Sequence, residues 1–249
     1  MSAPLLDIVG LGRRFNGVVA VDGVSFAVQP GAAHGLIGPN GAGKTTCFNL
    51  ISGLTAADAG QITLDGIRLD RLAPHARTRA GLARTFQNIR LFSEMSVLEN
   101  TLCGQHSRNL AERVAKTAAF ELLDLVGLTA EAERRADELS YGDQRRLEIA
   151  RALASAPKLL LLDEPAAGMN PAETTDLAAL LHRVRARGTT LLLVEHDMHF
   201  VMKLCDRITV LNFGRVIAEG NPREIRENGA VIEAYLGSKL ATRLAGAAP

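Results

Sequence analysis

Gly38-Pro39-Asn40-Gly41-Ala42-Gly43-Lys44-Thr45 places glycines, one lysine and one hydroxyl in the spacing G-x-x-x-x-G-K-[ST], with Thr46 beside it. Glycines let backbone N–H groups turn inward around phosphate oxygens, and a helix beginning there adds its positive end. Lys44 can reach β- and γ-phosphates, and the Thr45 hydroxyl can ligate Mg²⁺. Further along, the apolar run Leu159–Leu162 ends in Asp163-Glu164. Successive strand residues point to opposite sides, so the two acids can take different work. Asp163 is placed to hold Mg²⁺ through water, and Glu164 to orient or deprotonate an attacking water. Together these residues point to phosphoryl transfer from a nucleotide. They leave open small-molecule kinases, GTPases, helicases and transport ATPases.

Positioning them requires strands that end at the chemistry and helices that begin there. Val24–Val28 and His34–Ile37 read as strands around a Pro30-Gly31 turn, and a helix follows from Lys44 to Leu54, with Cys47, Leu50, Ile51 and Leu54 on one face. Gln61–Leu64 and Arg68-Leu69 flank Asp65-Gly66, a hairpin signal. Val97–Gly127 and Ser140–Ala154 read as helical, the second with Leu147, Ala150 and Leu153 on one face. Lys158–Leu162 and Thr189–Glu195 read as strands whose apolar runs lack alternation, as expected of parallel strands buried on both faces. Between them Asn170 predicts an N-cap, Pro171 the first helical position, Glu173 a capping-box partner and Gly188 the end. The expectation is one α/β domain over 1–249, with a helical insertion at about 88–155 and a tail at 238–249.

With 249 residues, 47% of them hydrophobic, the chain can bury a sizeable core. A formal net charge of +1 argues against nucleic acid as a partner. Cys47, Cys103 and Cys205 lie far apart without metal-ligand spacing, which suits a reducing compartment. No signal peptide and no apolar run of spanning length is visible, so a role at a membrane needs partners. His196 and His199 are spaced for a metal pair but lack an evident third ligand; His34, His75, His106 and His182 read as structural or solvent-facing.

The class is chosen by Leu139-Ser140-Tyr141-Gly142-Asp143-Gln144, where a Ser and a Gly open a helix. This resembles the LSGGQ signature of the ATP-binding-cassette (ABC) family, and the other family markers follow in order. Gln87, in Thr85-Phe86-Gln87, matches the Q-loop glutamine that contacts Mg²⁺ and water; Asn170 falls in the D-loop; His196 matches the switch histidine at the γ-phosphate; Phe15 matches the aromatic that stacks on adenine, although core packing is its other reading. The resemblance spans about Leu6 to Gly237. It implies a P-loop NTPase core with a mixed sheet plus an inserted helical subdomain, and ATP with Mg²⁺ as cofactors. It also implies two such subunits facing head to tail, each ATP lying between one phosphate loop and the opposite Ser140–Gln144 turn. In the family, a coupling helix of the transmembrane subunit docks near the segment that here runs Asn88–Val97; Leu91, Phe92 and Met95 could equally be core.

Within the family, Arg84–Phe92, Arg145–Arg151, Ala166–Pro171 and the ending Val231–Gly237 resemble the ATPase of branched-chain amino-acid importers, in particular the longer, G-type one. That implies a second ATPase subunit (a homologue or a copy of itself), two permease subunits, a periplasmic solute-binding protein acting indirectly, and a peripheral place on the cytoplasmic face of the inner membrane. A urea or short-amide importer and a lipopolysaccharide-type exporter remain alternatives; soluble cassette ATPases and small-molecule kinases fit less well. Three departures stand out: Tyr141 replaces a signature glycine, as in those importer relatives, Asp143 stands where they carry Gln, and Asn170 replaces the usual D-loop Asp. Because the phosphate-contacting residues are all present, the resemblance implies competent hydrolysis.

Overall fold

The structure, a computed structural model, describes residues 3–236. The proposed tail at 238–249 and the end of the Val231–Gly237 motif lie outside the described residues. The chain opens with a hairpin, β1 (Leu6–Phe15) and β2 (Val18–Val28), joined through Asn16-Gly17, both at positive φ (46° and 88°). β3 (Ala33–Ile37) leads into α1 (Lys44–Ser52), and a second hairpin, β4 (Ala59–Leu64) and β5 (Ile67–Arg68), turns at Asp65-Gly66 as its sequence predicts. After α2 (Pro74–Arg79) and β6 (Leu82–Arg84) come three helices, α3 (Val97–Gly104), α4 (Glu112–Val126) and α5 (Tyr141–Leu153). The remainder alternates: β7 (Leu159–Asp163), α6 (Pro171–Ala186), β8 (Thr190–Val194), α7 (Met198–Leu204), β9 (Arg207–Asn212), β10 (Arg215–Gly220) and α8 (Pro222–Glu227).

The strands form a six-stranded sheet, β10-β9-β3-β8-β7-β6, and a four-stranded sheet, β2-β1-β4-β5. The six-stranded sheet is mixed: β10 runs antiparallel to β9, and the other pairs are parallel. Its central strands are buried on both faces. Leu160, Leu162, Leu191 and Leu193 pack into a core shared with α4, α5 and α6, whereas Leu159, Leu161, Leu192 and Val194 pack into a core shared with α1 and the second sheet. This explains why these strands read as continuous apolar runs.

Several boundaries differ from expectation. β1 was not predicted at all, and β2 begins at Val18 rather than Val24. Glycines at 10, 12 and 23 and the register shifts of the β1–β2 pair break the alternation that marks a strand. The helix at 44 stops at Ser52, because Gly53 turns left-handed (φ 79°) and leaves Leu54 exposed beyond the packed face of Cys47, Leu50 and Ile51. The predicted helix Val97–Gly127 is two helices: a 3-10 turn at His106–Arg108 ends at Asn109 (φ 49°), and α4 then packs beside α3 and α5.

Two buried polar groups bind layers together. His34 is 1% exposed, hydrogen-bonded to Thr209 Oγ1 at 2.8 Å and stacked on Phe26 at 5.4 Å. Arg84 reaches from β6 to Asp163 Oδ2 of β7 at 2.7 Å and to Asn49 Oδ1 and Ser52 Oγ of α1 at 2.8 Å each, between the rings of Phe48 and Phe86.

Burial, with Arg207 adding to it, lowers His34 from an ordinary 6.5 to about 4. The unfolded chain therefore takes up this proton first as pH falls, and stability drops between about 6.5 and about 4. The loss reaches on the order of 3 kcal/mol near the lower limit. In urea titrations across that range, His34→Gln should show a shallower fall than the parent; equal slopes would contradict this. Arg84→Met should cost about 3 kcal/mol by leaving the Asp163 carboxylate buried and uncompensated, and Arg84→Met/Asp163→Asn should recover part of that loss in the same titrations.

Candidate active site

The phosphate loop sits at the carboxyl end of β3, and Gly43 is the N-cap of α1 with φ 99° and no side-chain cap, so the first N–H groups of the helix stay open to an anion. Two glycines are required by space as well as by φ. A Cβ on Gly38 (φ 151°) would lie 2.1 Å from the Leu211 carbonyl oxygen, and one on Gly43 would lie 2.4 Å from that of Ala20. Pro39, Asn40, Gly41 and Ala42 form the turn between them, closed by Ala42 N–H to Pro39 O at 3.1 Å. Lys44 donates to the carbonyls of Gly38 (2.7 Å) and Pro39 (2.9 Å) and so lies along the loop. Burial lowers its ammonium below the usual lysine range, and the Glu164 carboxylate pulls the other way. Thr45 is exposed and Thr46 half-buried on the first turn of the helix.

Asp163 ends β7, buried, with one carboxylate oxygen held by Arg84. Glu164 follows at φ 47°, a left-handed conformation that costs a side-chain-bearing residue about 1 kcal/mol or more. That kink brings Glu164 between two side chains that the sequence singled out for other contacts: Gln87 Nε2 donates to Glu164 Oε2 at 2.9 Å, and His196 Nε2 lies 2.7 Å from Glu164 Oε1. Three residues far apart in sequence, each singled out by its motif, thus meet around one carboxylate. Beneath them, Glu195 accepts from the backbone N–H groups of Ala166 (2.7 Å) and His196 (3.0 Å), fixing the chain on both sides of the cluster. Burial raises its pKa, opposed by those backbone donors.

Ser140 caps α5: its hydroxyl oxygen accepts from Asp143 N–H at 3.2 Å, and its O–H donates to Asp143 Oδ2 at 2.7 Å. Arg146 pairs with the other Asp143 oxygen at 2.6 Å. The departure at Asp143 therefore has a structural effect, tying the Ser140 hydroxyl to a carboxylate. Tyr141 is half-exposed and donates to Ala167 O at 3.1 Å. Gly142 is buried against Glu173, and Gln144 Nε2 donates to Leu139 O at 3.1 Å. Asn170 caps α6 by accepting from Ala172 and Glu173 N–H, a task an Asp performs equally. Among the described residues no hydrogen bond or ion pair joins the Ser140–Gln144 turn to the Gly38–Thr46 loop of the same chain.

Phe15 is 41% exposed at the tip of the β1–β2 hairpin, with Arg13 over its ring at 4.7 Å and Arg13 held by Asp58 at 2.7 Å. Core packing is thereby ruled out. The hairpin reaches the phosphate loop through Ala20, the residue that limits Gly43. In the segment 88–97, Phe92 is 52% exposed with Arg151 at 5.6 Å from its ring, while Leu91 packs on the core and Met95 is half-buried. Arg84, Arg145 and Glu148 lie in motifs that carry the family resemblance, but the sequence gives neither them nor Glu195 a role in the site. The available signal was charge inside an apolar context: Glu195 closes an apolar strand, and Arg145 and Glu148 lie three apart beside buried Leu147 and Ile149.

Comparison with known proteins agrees with this geometry. The family model described as "ABC transporter" matches residues 21–167, and that described as "Branched-chain amino acid ATP-binding cassette transporter" matches residues 215–241. The chain is 47% identical over 253 residues to the high-affinity branched-chain amino acid transport ATP-binding protein BraF of Pseudomonas aeruginosa, a match covering 95% of this chain and 99% of that one. It is 46% identical over 253 residues, with the same coverage, to the protein LivG of the same description from Escherichia coli. Among solved structures, the ADP conformation of an ATP-binding cassette of an ABC transporter superimposes with a TM-score of 0.86 at 31% identity, covering 95% of this chain and 100% of that one. The chain belongs to the ABC transporter family, as an ATP-binding subunit, and hence a transport ATPase, of the branched-chain amino-acid branch.

Proposed function

We propose that this chain powers uptake of branched-chain, hydrophobic amino acids through separate permease subunits, paired with a second cassette subunit and served by a periplasmic binding protein. The observation that carries the catalytic part is the Glu164 carboxylate held between Gln87 and His196 beside the phosphate loop. The solute follows from the near full-length identity to branched-chain amino acid transport proteins. No helix among the described residues is long and apolar enough to cross a membrane, which fits a permeation path made by other chains. Partly exposed Phe92 offers an aromatic anchor for a permease helix on the cytoplasmic face. α3, α4 and α5 pack on one another, in support of 88–155 acting as one helical unit.

In the proposed mechanism, adenine stacks on Phe15, and the loop Gly38–Thr46 receives the phosphates with Lys44 between β and γ. Glu164 accepts a proton from water as its oxygen attacks the γ-phosphorus. The bond to the β,γ-bridging oxygen breaks, and ADP leaves with the electron pair. Gln87 and His196 hold the Glu164 carboxylate and face the γ-phosphate. Ser140 and the α5 N-terminus of a facing subunit close the other side. The donors available for Mg²⁺ are hard oxygens (the Thr45 hydroxyl, the free Asp163 oxygen and the Gln87 amide oxygen), which suits that ion. When bound, Mg²⁺ neutralises charge on the β- and γ-phosphates.

Glu164→Gln should keep nucleotide affinity, lose at least about 100-fold in turnover, and accumulate as an ATP-bound dimer by size-exclusion chromatography; unchanged steady-state hydrolysis would remove Glu164 from this role. Lys44→Ala should weaken ATP binding roughly tenfold or more by calorimetry. In proteoliposomes carrying the transporter purified by way of this chain, the binding protein loaded with leucine, isoleucine or valine should stimulate ATP hydrolysis. Stimulation by urea instead would transfer the chain to a short-amide importer.

A further inference from the structure

The residues of the site are linked to one another inside a single chain. Starting at the Glu164 carboxylate, Gln87 Nε2 donates to Oε2 at 2.9 Å. The Gln87 carbonyl accepts from Arg145 Nη2 at 2.8 Å, and the same nitrogen donates to the Tyr141 hydroxyl at 3.2 Å. Tyr141 donates onward to the Ala167 carbonyl at 3.1 Å, and Ala167 N–H donates to the Glu164 carbonyl, also at 3.1 Å. The path closes on the residue where it began. It passes through the segment before Asn170 and through the turn that starts α5.

Arg145 holds the crossing point rigidly. It is 0% exposed and pairs with Glu148, itself 1% exposed, at 2.7 Å. Its Nη1 also donates to the Phe86 carbonyl at 2.7 Å, while Glu148 Oε1 accepts from the N–H groups of Phe86 (3.3 Å) and Arg90 (3.4 Å). The segment 86–90 thus has no regular structure of its own but is pinned at four backbone groups to α5. The arrangement carries a standing cost: Arg145 Nε is buried without a partner among the described residues. Tyr141 differs from a spectator in a second respect. Its ring covers Gly168, where an added Cβ would lie 3.4 Å from it, so both its hydroxyl and its ring bear on the 166–170 segment.

We propose that Tyr141 and Arg145 are positioning residues: they link the Gln87 segment, the α5 turn and the 166–170 segment into one unit that sets the orientation of Glu164 for hydrolysis. A change in the Gln87 segment, the place where a membrane partner would press, then reaches Glu164 by two routes, through the Gln87 side chain and through Tyr141 and Ala167. This inference rests on the proposed role of Glu164.

The test measures hydrolysis in the assembled transporter purified by way of this chain, and exchange in the purified full chain. Tyr141→Phe keeps the ring and removes the hydroxyl, so folding should be unaffected. Its kcat for Mg-ATP should fall about five- to tenfold with KM within twofold of the parent and the melting temperature unchanged. Amide hydrogen exchange of residues 166–170 should quicken in the nucleotide-free chain. Arg145→Lys should lower kcat similarly, and Tyr141→Phe/Arg145→Lys should lose no more than the larger single effect, as for groups acting in one path. Glu164→Gln is assayed alongside. Parental kcat and parental exchange in Tyr141→Phe, beside an inactive Glu164→Gln, overturn the linkage alone, as do additive losses in the double variant. Retained turnover in Glu164→Gln overturns the site reading and the linkage with it.

Discussion

The parallel central strands of the six-stranded sheet, buried on both faces, constrain everything else in this molecule. Leu159–Leu162 and Leu191–Val194 have apolar neighbours above and below, so no polar side chain leaves these two runs along their length. Polar side chains emerge where the strands stop, and the strands stop together. The register aligns Asp163 with Val194 and Leu36 with Val194, which brings the phosphate loop, the Asp163-Glu164 pair and the Glu195-His196 pair to one edge. The chemistry is assembled there because the hydrophobic core admits it nowhere else along these strands.

Charge inside the protein serves this assembly. Arg84 with Asp163, the Arg145–Glu148 pair within α5, and Glu195 with its backbone donors are each buried, and each holds segments distant in sequence, the α5 pair by its bonds to Phe86, Gln87 and Arg90. Buried pairs of this kind contribute little net stability compared with apolar packing, yet they permit one geometry. In this chain they fix a left-handed residue, Glu164, and two irregular segments at the site. In the proposed mechanism the exposed positions Phe15, Ser140 and Phe92 serve what comes from outside: a base, a facing subunit and a membrane partner.

How much of this could be read from residues depended on the range of the interaction. The phosphate loop, the capping box at Asn170 and Glu173, and the hairpin at Asp65-Gly66 are local devices, and the structure contains them as predicted. The apolar strands were legible because double-sided burial leaves an uninterrupted run. β1 was not, because bulges at glycines erase the period of two on which strand reading depends. The split of α3 from α4 lies at a 3-10 turn closed by Asn109 in the left-handed region (φ 49°), a single-residue stop that the surrounding run of helix-forming Ala, Glu and Leu masks. Arg84, Arg145, Glu148 and Glu195 act through partners tens of residues away, which no spacing rule displays. The placement of Gln87 and His196 on opposite oxygens of Glu164 likewise needed the fold.

At the centre of this account is the proposal that each nucleotide site is finished by the α5 turn of a facing subunit; among the described residues no hydrogen bond or ion pair joins Ser140 to the phosphate loop of its own chain. Vanadate trapped with Mg-ADP in the assembled transporter, followed by ultraviolet cleavage, reports which backbone surrounds the γ-phosphate position. The account predicts cuts in this chain both within residues 38–45 and at Ser140, read by mass spectrometry of the fragments. Cleavage confined to 38–45, with Ser140 intact, would contradict it.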